Sequence, residues 1–327
     1  MAARFIHTAD WQIGKPYASN PSPTKRVLAQ QERLNVIGRI GAAAQSHNAQ
    51  FVLVAGDLFD STTPSKDDVA ALCTAICQIG LPVHVIPGNH DHGGPGGVWH
   101  QPFFRDFRAQ QAPNLHIHLE PAPIILPDAV LLPCPLRRRH ENADTCAWLR
   151  ACGSMSEKWG EKPRIVLAHG SVQGFSSDGD DESNQDNATN RIELERLQLE
   201  AFDYIALGDW HGAKQISEKA WYAGTPEQDR FAKGADYQAG YVLAVVAERA
   251  ALPQVSRIKT GRFGWHELSF HLAEDAALGI LRQAIEGLLG NRAQSDLLNL
   301  TLTGSLGIEV SAQLAADLEA WKARLIR

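Results

Sequence analysis

The sequence predicts a layered α/β domain with parallel strand pairing, spanning about residues 1–260, followed by a small α+β domain at 261–327. Three observations lead there. Strand-length apolar runs alternate with helical patterns through the first half of the chain. Short polar clusters close those runs. From about Ala220 the pattern changes to strand-like runs separated by turn residues, and then to a β-α-β-α tail.

The elements follow in order. ARFIHTA near the start reads as a strand. Residues 24–47 place Val27, Leu34, Ile37 and Ile40 on roughly one helical face. FVLVA at 51–55 is a short buried strand, and Ser65-Lys66-Asp67-Asp68 forms a capping box that opens a helix through Ile79. VHVI at 83–86, RIVL at 164–167 and YIAL at 204–207 are further strands. Residues 175–190 are polar and acidic with almost no large apolar side chain, which predicts a surface loop. WYAGTPEQ, GYVLAVVA, QVSRIKT and FGWHELSF read as strands with antiparallel pairing. A helix at 274–289, the strand LLNLTLTG and a helix around 310–324 complete the chain.

Composition bounds the function. With 44% hydrophobic and 21% charged residues over 327 positions, the chain is globular. No run of about 18 apolar residues occurs, so no membrane partner is expected, and MAARFIHTAD lacks the apolar stretch of a secretory signal. The five cysteines are scattered: Cys73, Cys77, Cys134, Cys146 and Cys152. A reduced, cytoplasmic protein is expected, with Cys73 and Cys77 as two buried small residues. The formal net charge of −6 argues against a free-standing protein that grips long duplexes, because such proteins carry a basic surplus. Arg137-Arg138-Arg139 is the one dense basic run, and a solvated loop face is its commoner meaning.

Five clusters carry the chemistry: Asp10-Trp11-Gln12, Gly56-Asp57-Leu58-Phe59-Asp60, Gly88-Asn89-His90-Asp91, Ala168-His169-Gly170 and Gly208-Asp209-Trp210-His211. Singly, none decides anything; a lone His169 at a strand end is more often structural than a ligand. Their force lies in the set. Donors at the carboxyl ends of neighbouring strands converge on the crevice where open α/β sheets bind ligands. Two divalent ions about 3.5–4 Å apart can clamp both the attacking and the leaving oxygen at phosphorus. That chemistry needs a bridging carboxylate, further neutral donors, and a histidine to protonate the leaving oxygen.

In order and content these motifs resemble the calcineurin-like metallophosphoesterases. HTADW, AGDLFD, IPGNHD, LAHG, DYIALG-x-x-H and YAGTPE resemble in particular the SbcD-type nuclease subunit of double-strand-break repair, over roughly residues 4–245. The resemblance implies two packed mixed β-sheets flanked by helices, with a small capping domain. It implies that Asp10, Asp57 and His211 bind a first ion. Asp57 bridges to a second, which Asn89 and His169 also hold. His90 takes the place of the catalytic histidine, with Asp91 orienting it; Asp60 is expected to organise its own loop.

Two positions depart from the family pattern. Gln12 and Asp209 stand where histidine is usual, so two imidazole donors become oxygen donors. We read them as metal-site residues of a retuned centre that favours manganese, with magnesium the other suitable ion. Trp11, Trp99 and Trp210 lie in or near the motif loops, where they would stack on bases or pack loop walls. His7 is expected to support the ligands by hydrogen bonding.

The implied activity is metal-dependent phosphodiester hydrolysis on DNA, 3′–5′ exonuclease and endonuclease in character, at ends or single-stranded segments. An SMC-like ATPase of the SbcC type, or a homodimer, would supply the missing grip on DNA. In such nucleases the ATPase-binding helices follow the capping region, where this sequence stops, so that contact is expected to differ or to lie beyond these residues. The competing readings are an enzyme acting on a small nucleotide substrate and a DNA-binding scaffold with weakened metal chemistry.

Overall fold

The computed structural model describes residues 2–20, 22–151, 159–172, 189–232 and 237–326. Cys152 and nearly all of the acidic stretch 175–190 lie outside the described residues. Two compact units form. One comprises Met1–Pro16, Gln30–Glu227 and Lys233–Gly261; the other comprises Tyr17–Ala29, Gln228–Ala232 and Arg262–Arg327.

The larger unit begins with β1 (Ala2–Thr8) and most of α1 (Pro23–Ser46). There follow β2 (Phe51–Ala55), α2 (Lys66–Ile79), β3 (Val83–Ile86), α3 (Pro102–Gln111) and β4 (Leu115–Ile117). The helix α2 starts where its capping box sits: Ser65 Oγ accepts from Asp68 N at 3.0 Å, and Gly80 closes the other end in the left-handed region at φ 72°. The pattern on α1 holds for Ile37 and Ile40, which are buried, but Val27 is exposed.

A second series of strands comprises β5 (Ile124–Ile125), β6 (Val130–Cys134), β7 (Arg164–His169), the short β8 (Ser171–Val172) and β9 (Arg191–Ile192), β10 (Tyr204–Gly208), β11 (Lys214–Gln215) and β12 (Ala220–Tyr222). Then β13 (Tyr241–Glu248) and β14 (Gln254–Lys259) return to the first sheet.

Two six-stranded sheets result, with orders β14-β13-β1-β2-β3-β4 and β11-β12-β10-β7-β6-β5. The first four strands of the chain pair in parallel, while β13 runs antiparallel beside β1 and β14 beside β13. The sheets pack face to face: Phe5, Leu53 and Ile86 of the first meet Leu131, Ile165, Leu167 and Tyr204 of the second. Every residue of FVLVA is buried because both its faces are covered. Phe51, Leu53 and Ala55 face the other sheet, and Val52 and Val54 face the cluster containing Ile37, Leu72 and Ile76. Each such Val or Leu contributes about 1.5–3 kcal/mol. This is the architecture that the resemblance implies, two mixed sheets flanked by helices.

In the smaller unit, β15 (Gly264–Leu272) and β16 (Asp296–Gly304) flank α4 (Ala277–Leu289), and α5 (Ile308–Arg324) follows. The antiparallel expectation for the runs after Ala220 is met by β13 and β14 and by β12 against β11, but β12 also pairs parallel with β10, and β15 pairs parallel with β16. For the last pair the reason is the intervening helix, a crossover connection of the kind that parallel neighbours require. Leu272, Leu278, Leu281, Ile285 and Trp321 form this unit's own core. No helix among the described residues is long and apolar enough to cross a membrane.

Candidate metal centre

All five polar clusters leave the carboxyl ends of parallel strands: β1, β2 and β3 in one sheet, β7 and β10 in the other. The first two clusters are zipped together by backbone hydrogen bonds. Asp10 N donates to Gly56 O at 3.1 Å, Gln12 N to Asp57 O at 2.9 Å, and Ile13 N to Leu58 O at 3.0 Å. The cost of this geometry is visible in the backbone. Asp10, Gln12, Asp57 and Asp209 have φ values of 55°, 44°, 53° and 104°. Non-glycine residues rarely enter that region, at about 1–3 kcal/mol each, and remain there only when surrounding bonds hold them. For Asp10 one such bond comes from the YAGTPE segment, where Thr225 Oγ1 donates to Asp10 O at 3.0 Å. The two sheets meet closely here: a Cβ on Gly208 would lie 1.8 Å from Ala55 O. Only glycine fits there.

Asp10, Asp57 and His169 converge, each offering a ligand atom within 4.8 Å of the others, and all three are buried. His169 Nδ1 lies 2.8 Å from Ala55 O, so that nitrogen carries the proton and Nε2 is left to coordinate. Around Nε2 stand three oxygens: Asn89 Oδ1 at 3.2 Å, Asp57 Oδ2 at 3.6 Å and Asp209 Oδ1 at 3.8 Å. Oxygen and nitrogen acceptors aimed at one another in a buried space fit a cation.

The protonation equilibria say the same. Burial works against charge on His169, yet the carboxylates of Asp57, Asp10 and Asp209 outweigh it and push the pKa up to about 9. Burial raises Asp10 to about 6, although His211 and His169 lower it. Burial and then the charge of Asp57 raise Asp91 to about 7. A cluster that retains protons this tenaciously lacks positive charge, and divalent cations would supply it.

The family assignment rests on sequence as well as on this geometry. The sequence model described as Calcineurin-like phosphoesterase matches residues 3–213. The chain belongs to that family. Among solved structures, TT1561 of Thermus thermophilus shows 12% identity and a TM-score of 0.46, over 80% of this chain and 100% of that one. A dimetal phosphatase from Danio rerio shows 11% identity and a TM-score of 0.44, over 77% and 98% of the two chains. Calcineurin-like phosphoesterases are metal-dependent hydrolases of phosphoester bonds that bind two divalent ions, and the buried Asp-Asp-His cluster suits that requirement.

The other expected residues of this phosphoesterase take varied places. His211 is half-buried, and its charge bears on Asp10. Asp209 N points at both Asp10 oxygens, at 3.3 and 3.4 Å, while Asp209 Oδ2 accepts from Ser171 Oγ at 2.9 Å. Gln12 Oε1 accepts from Lys15 Nζ at 2.8 Å, and that ammonium also lies 3.9 Å from Asp60 Oδ1. Each of the two positions that depart from the family pattern is thus tied to a neighbour that sequence reading missed. Ser171 lies two residues beyond His169, and Lys15 three beyond Gln12; a basic residue so close to an acidic cluster was the available signal.

The expected role of Asp91 is corrected. Its carboxylate accepts from Gly88 N at 2.7 Å and from Phe59 N at 3.0 Å, clamping the two loops that carry Asp57 and Asn89. The His90 ring is held instead by Asp60, whose backbone oxygen lies 3.0 Å from His90 Nδ1. His90 N donates to Asp57 Oδ1 at 2.9 Å.

Of the two roles expected of the tryptophans, packing of the loop walls fits Trp11 and Trp99. Trp11 and Trp99 are buried and cannot stack on bases; their indole nitrogens donate to Thr8 Oγ1 and Asp91 O. Trp210 is half-exposed, with Lys214 over its ring. His7 is buried against the Tyr204 hydroxyl and Leu207 O. Cys73 is buried as expected of a small core residue, but Cys77 is exposed.

Proposed function

We propose that this protein is a two-metal phosphodiesterase acting on DNA, resembling the SbcD-type nuclease subunits in its motifs. The observation that carries the phosphodiesterase reading is the convergence of Asp10, Asp57 and His169 from three strands in two sheets, with His90 alongside. Asp10, Asp57 and His211 would hold one divalent ion, and Asp57, Asn89 and His169 the other. Gln12 and Asp209 would add oxygen donors that favour manganese over zinc. When bound, the ions neutralise phosphate charge and acidify water.

The residues then divide the work. Asp57 would contribute a carboxylate to both ions. His90, with Nδ1 held by the Asp60 carbonyl, turns Nε2 toward the leaving oxygen and gives it a proton. Asp91 keeps the two loops in register. The DNA reading is supported by the HTADW, DYIALG-x-x-H and YAGTPE segments, the last of which braces Asp10 through Thr225. An SMC-like ATPase of the SbcC type or a second copy of the chain would strengthen the hold on DNA.

Manganese-dependent hydrolysis of bis-p-nitrophenyl phosphate, measured beside cleavage of labelled single-stranded and duplex DNA, tests the proposal. Turnover of both substrate classes is expected. Turnover of the small ester with none of DNA would place the enzyme among those acting on small nucleotides. Inactivity on both with every divalent ion would leave only a scaffold role.

A further inference from the structure

Three arginines crowd the turn after β6, and the fold ties that turn to both loops of the second ion's ligands. On one side Gly93 N donates to Leu136 O at 2.8 Å, and a Cβ on Gly94 would lie 2.6 Å from Arg137 O. Gly94 is four residues from His90. On the other side Asn190 Nδ2 donates to Arg139 O at 2.9 Å, while Asn190 Oδ1 accepts from Glu141 N at 2.7 Å. Asn190 in turn takes Ser171 N on its own carbonyl at 2.9 Å, and a Cβ on Gly170 would meet that carbonyl at 2.1 Å. Gly170 directly follows His169.

The chain spans about 3.5 Å per residue at most, so these ties keep the arginine backbone within roughly 25 Å of His90 and about 15 Å of His169. Arg137 forms an ion pair with Glu120, both side chains being exposed. Arg138 and Arg139 are exposed and have no ion-pair partner among the described residues. A chain of net charge −6 offers a polyanion little long-range attraction, so the positive charge of Arg138 and Arg139, unpaired among the described residues, would matter locally. Arginine also suits phosphate geometry, with paired donors in a planar fork.

We propose that Arg138 and Arg139, on the turn fixed between the His90 and His169 loops, bind the sugar-phosphate backbone of a single-stranded DNA substrate as its scissile phosphate enters the centre. This rests on the DNA-directed reading above and names how the strand is held. A single strand can follow a short rim into a crevice, whereas a duplex would need a longer basic track.

The test uses the full chain loaded with manganese and a labelled twenty-nucleotide oligo(dT), with bis-p-nitrophenyl phosphate as the small probe. In the Arg138→Ala/Arg139→Ala variant, the oligonucleotide KM is expected to rise about tenfold relative to the KM for the small ester. The salt slope of log(kcat/KM) on the oligonucleotide should become shallower by about 1.4, since each contact to a single strand contributes about 0.7. Arg138→Lys/Arg139→Lys should recover most of the slope, because charge is kept. An unchanged KM ratio and salt slope in a variant that still cleaves DNA would overturn the rim and leave the DNA-directed reading intact. An equal loss on both substrates would make the turn purely structural and also overturn it. If the wild-type protein hydrolysed only the small ester, the DNA-directed reading itself would fall, and the rim with it.

Discussion

Replacing Asp91 by asparagine separates a loop clamp from a partner of His90. Both Asp91 oxygens accept buried backbone N–H groups, from Gly88 at 2.7 Å and Phe59 at 3.0 Å. The amide of Asp91→Asn keeps one acceptor and turns an NH2 toward the second N–H. One charge-assisted bond is lost, about 1.5–3 kcal/mol, and a buried donor is left without a partner, so about 3 kcal/mol is expected in total. In a protein of 327 residues that lowers Tm by roughly 4 °C. The measurement belongs at pH 8 on the manganese-loaded protein, above the value of about 7 to which burial and Asp57 raise this carboxyl. Thermal unfolding should show the full shift, and kcat should fall as the loops loosen. The pH dependence of kcat should keep its shape, because the His90 ring rests on the Asp60 carbonyl. A variant with wild-type Tm and a displaced acid limb would refute the clamp and return Asp91 to the role of orienting His90.

Three other outcomes follow from the same geometry. His90→Ala should lower kcat about 10²–10⁴-fold while calorimetry still finds two bound ions; loss of both ions would remove His90 from the role of proton donor. Manganese should be the best activator and zinc poor, and Gln12→His/Asp209→His should broaden metal use; a wild-type enzyme fastest with zinc would contradict the oxygen-rich reading. The third outcome concerns acid. Burial lowers His7 to about 3; burial, with His118 and His116, lowers His84 to about 3. Between about pH 6.5 and 3 the unfolded chain therefore binds protons that the folded chain refuses. Stability falls as pH falls through that window, by up to about 1.4 kcal/mol per pH unit for each histidine. In urea titrations at pH 6.5 and 4.5, His84→Leu should lose about 2–3 kcal/mol less than the wild-type protein; equal losses would show that His84 takes up its proton without unfolding.

The strands FVLVA and VHVI and the helix capped by Ser65 were legible because their signals are local: apolar runs of strand length and a side chain that caps its own helix. The five polar clusters were legible for the same reason, since each sits at the end of such a run. By itself, then, the sequence determined the layered alternation, the family, and the Asp10, Asp57 and His169 that converge. It did not determine how they meet. The strand β6 escaped notice because Pro133 stands inside it, and β4 because it is three residues long. The partners Lys15 for Gln12, Ser171 for Asp209 and the Asp60 carbonyl for His90 were decided by tertiary structure. So were the left-handed backbones of Asp10, Gln12, Asp57 and Asp209. Aspartate enters that region more readily than most residues, but at Asp10 a bond from a segment as distant as Thr225 helps to hold it there. Periodicity records which face of a strand is buried, whereas the direction of a side chain at a strand's end depends on loops that come together only when two sheets close on each other.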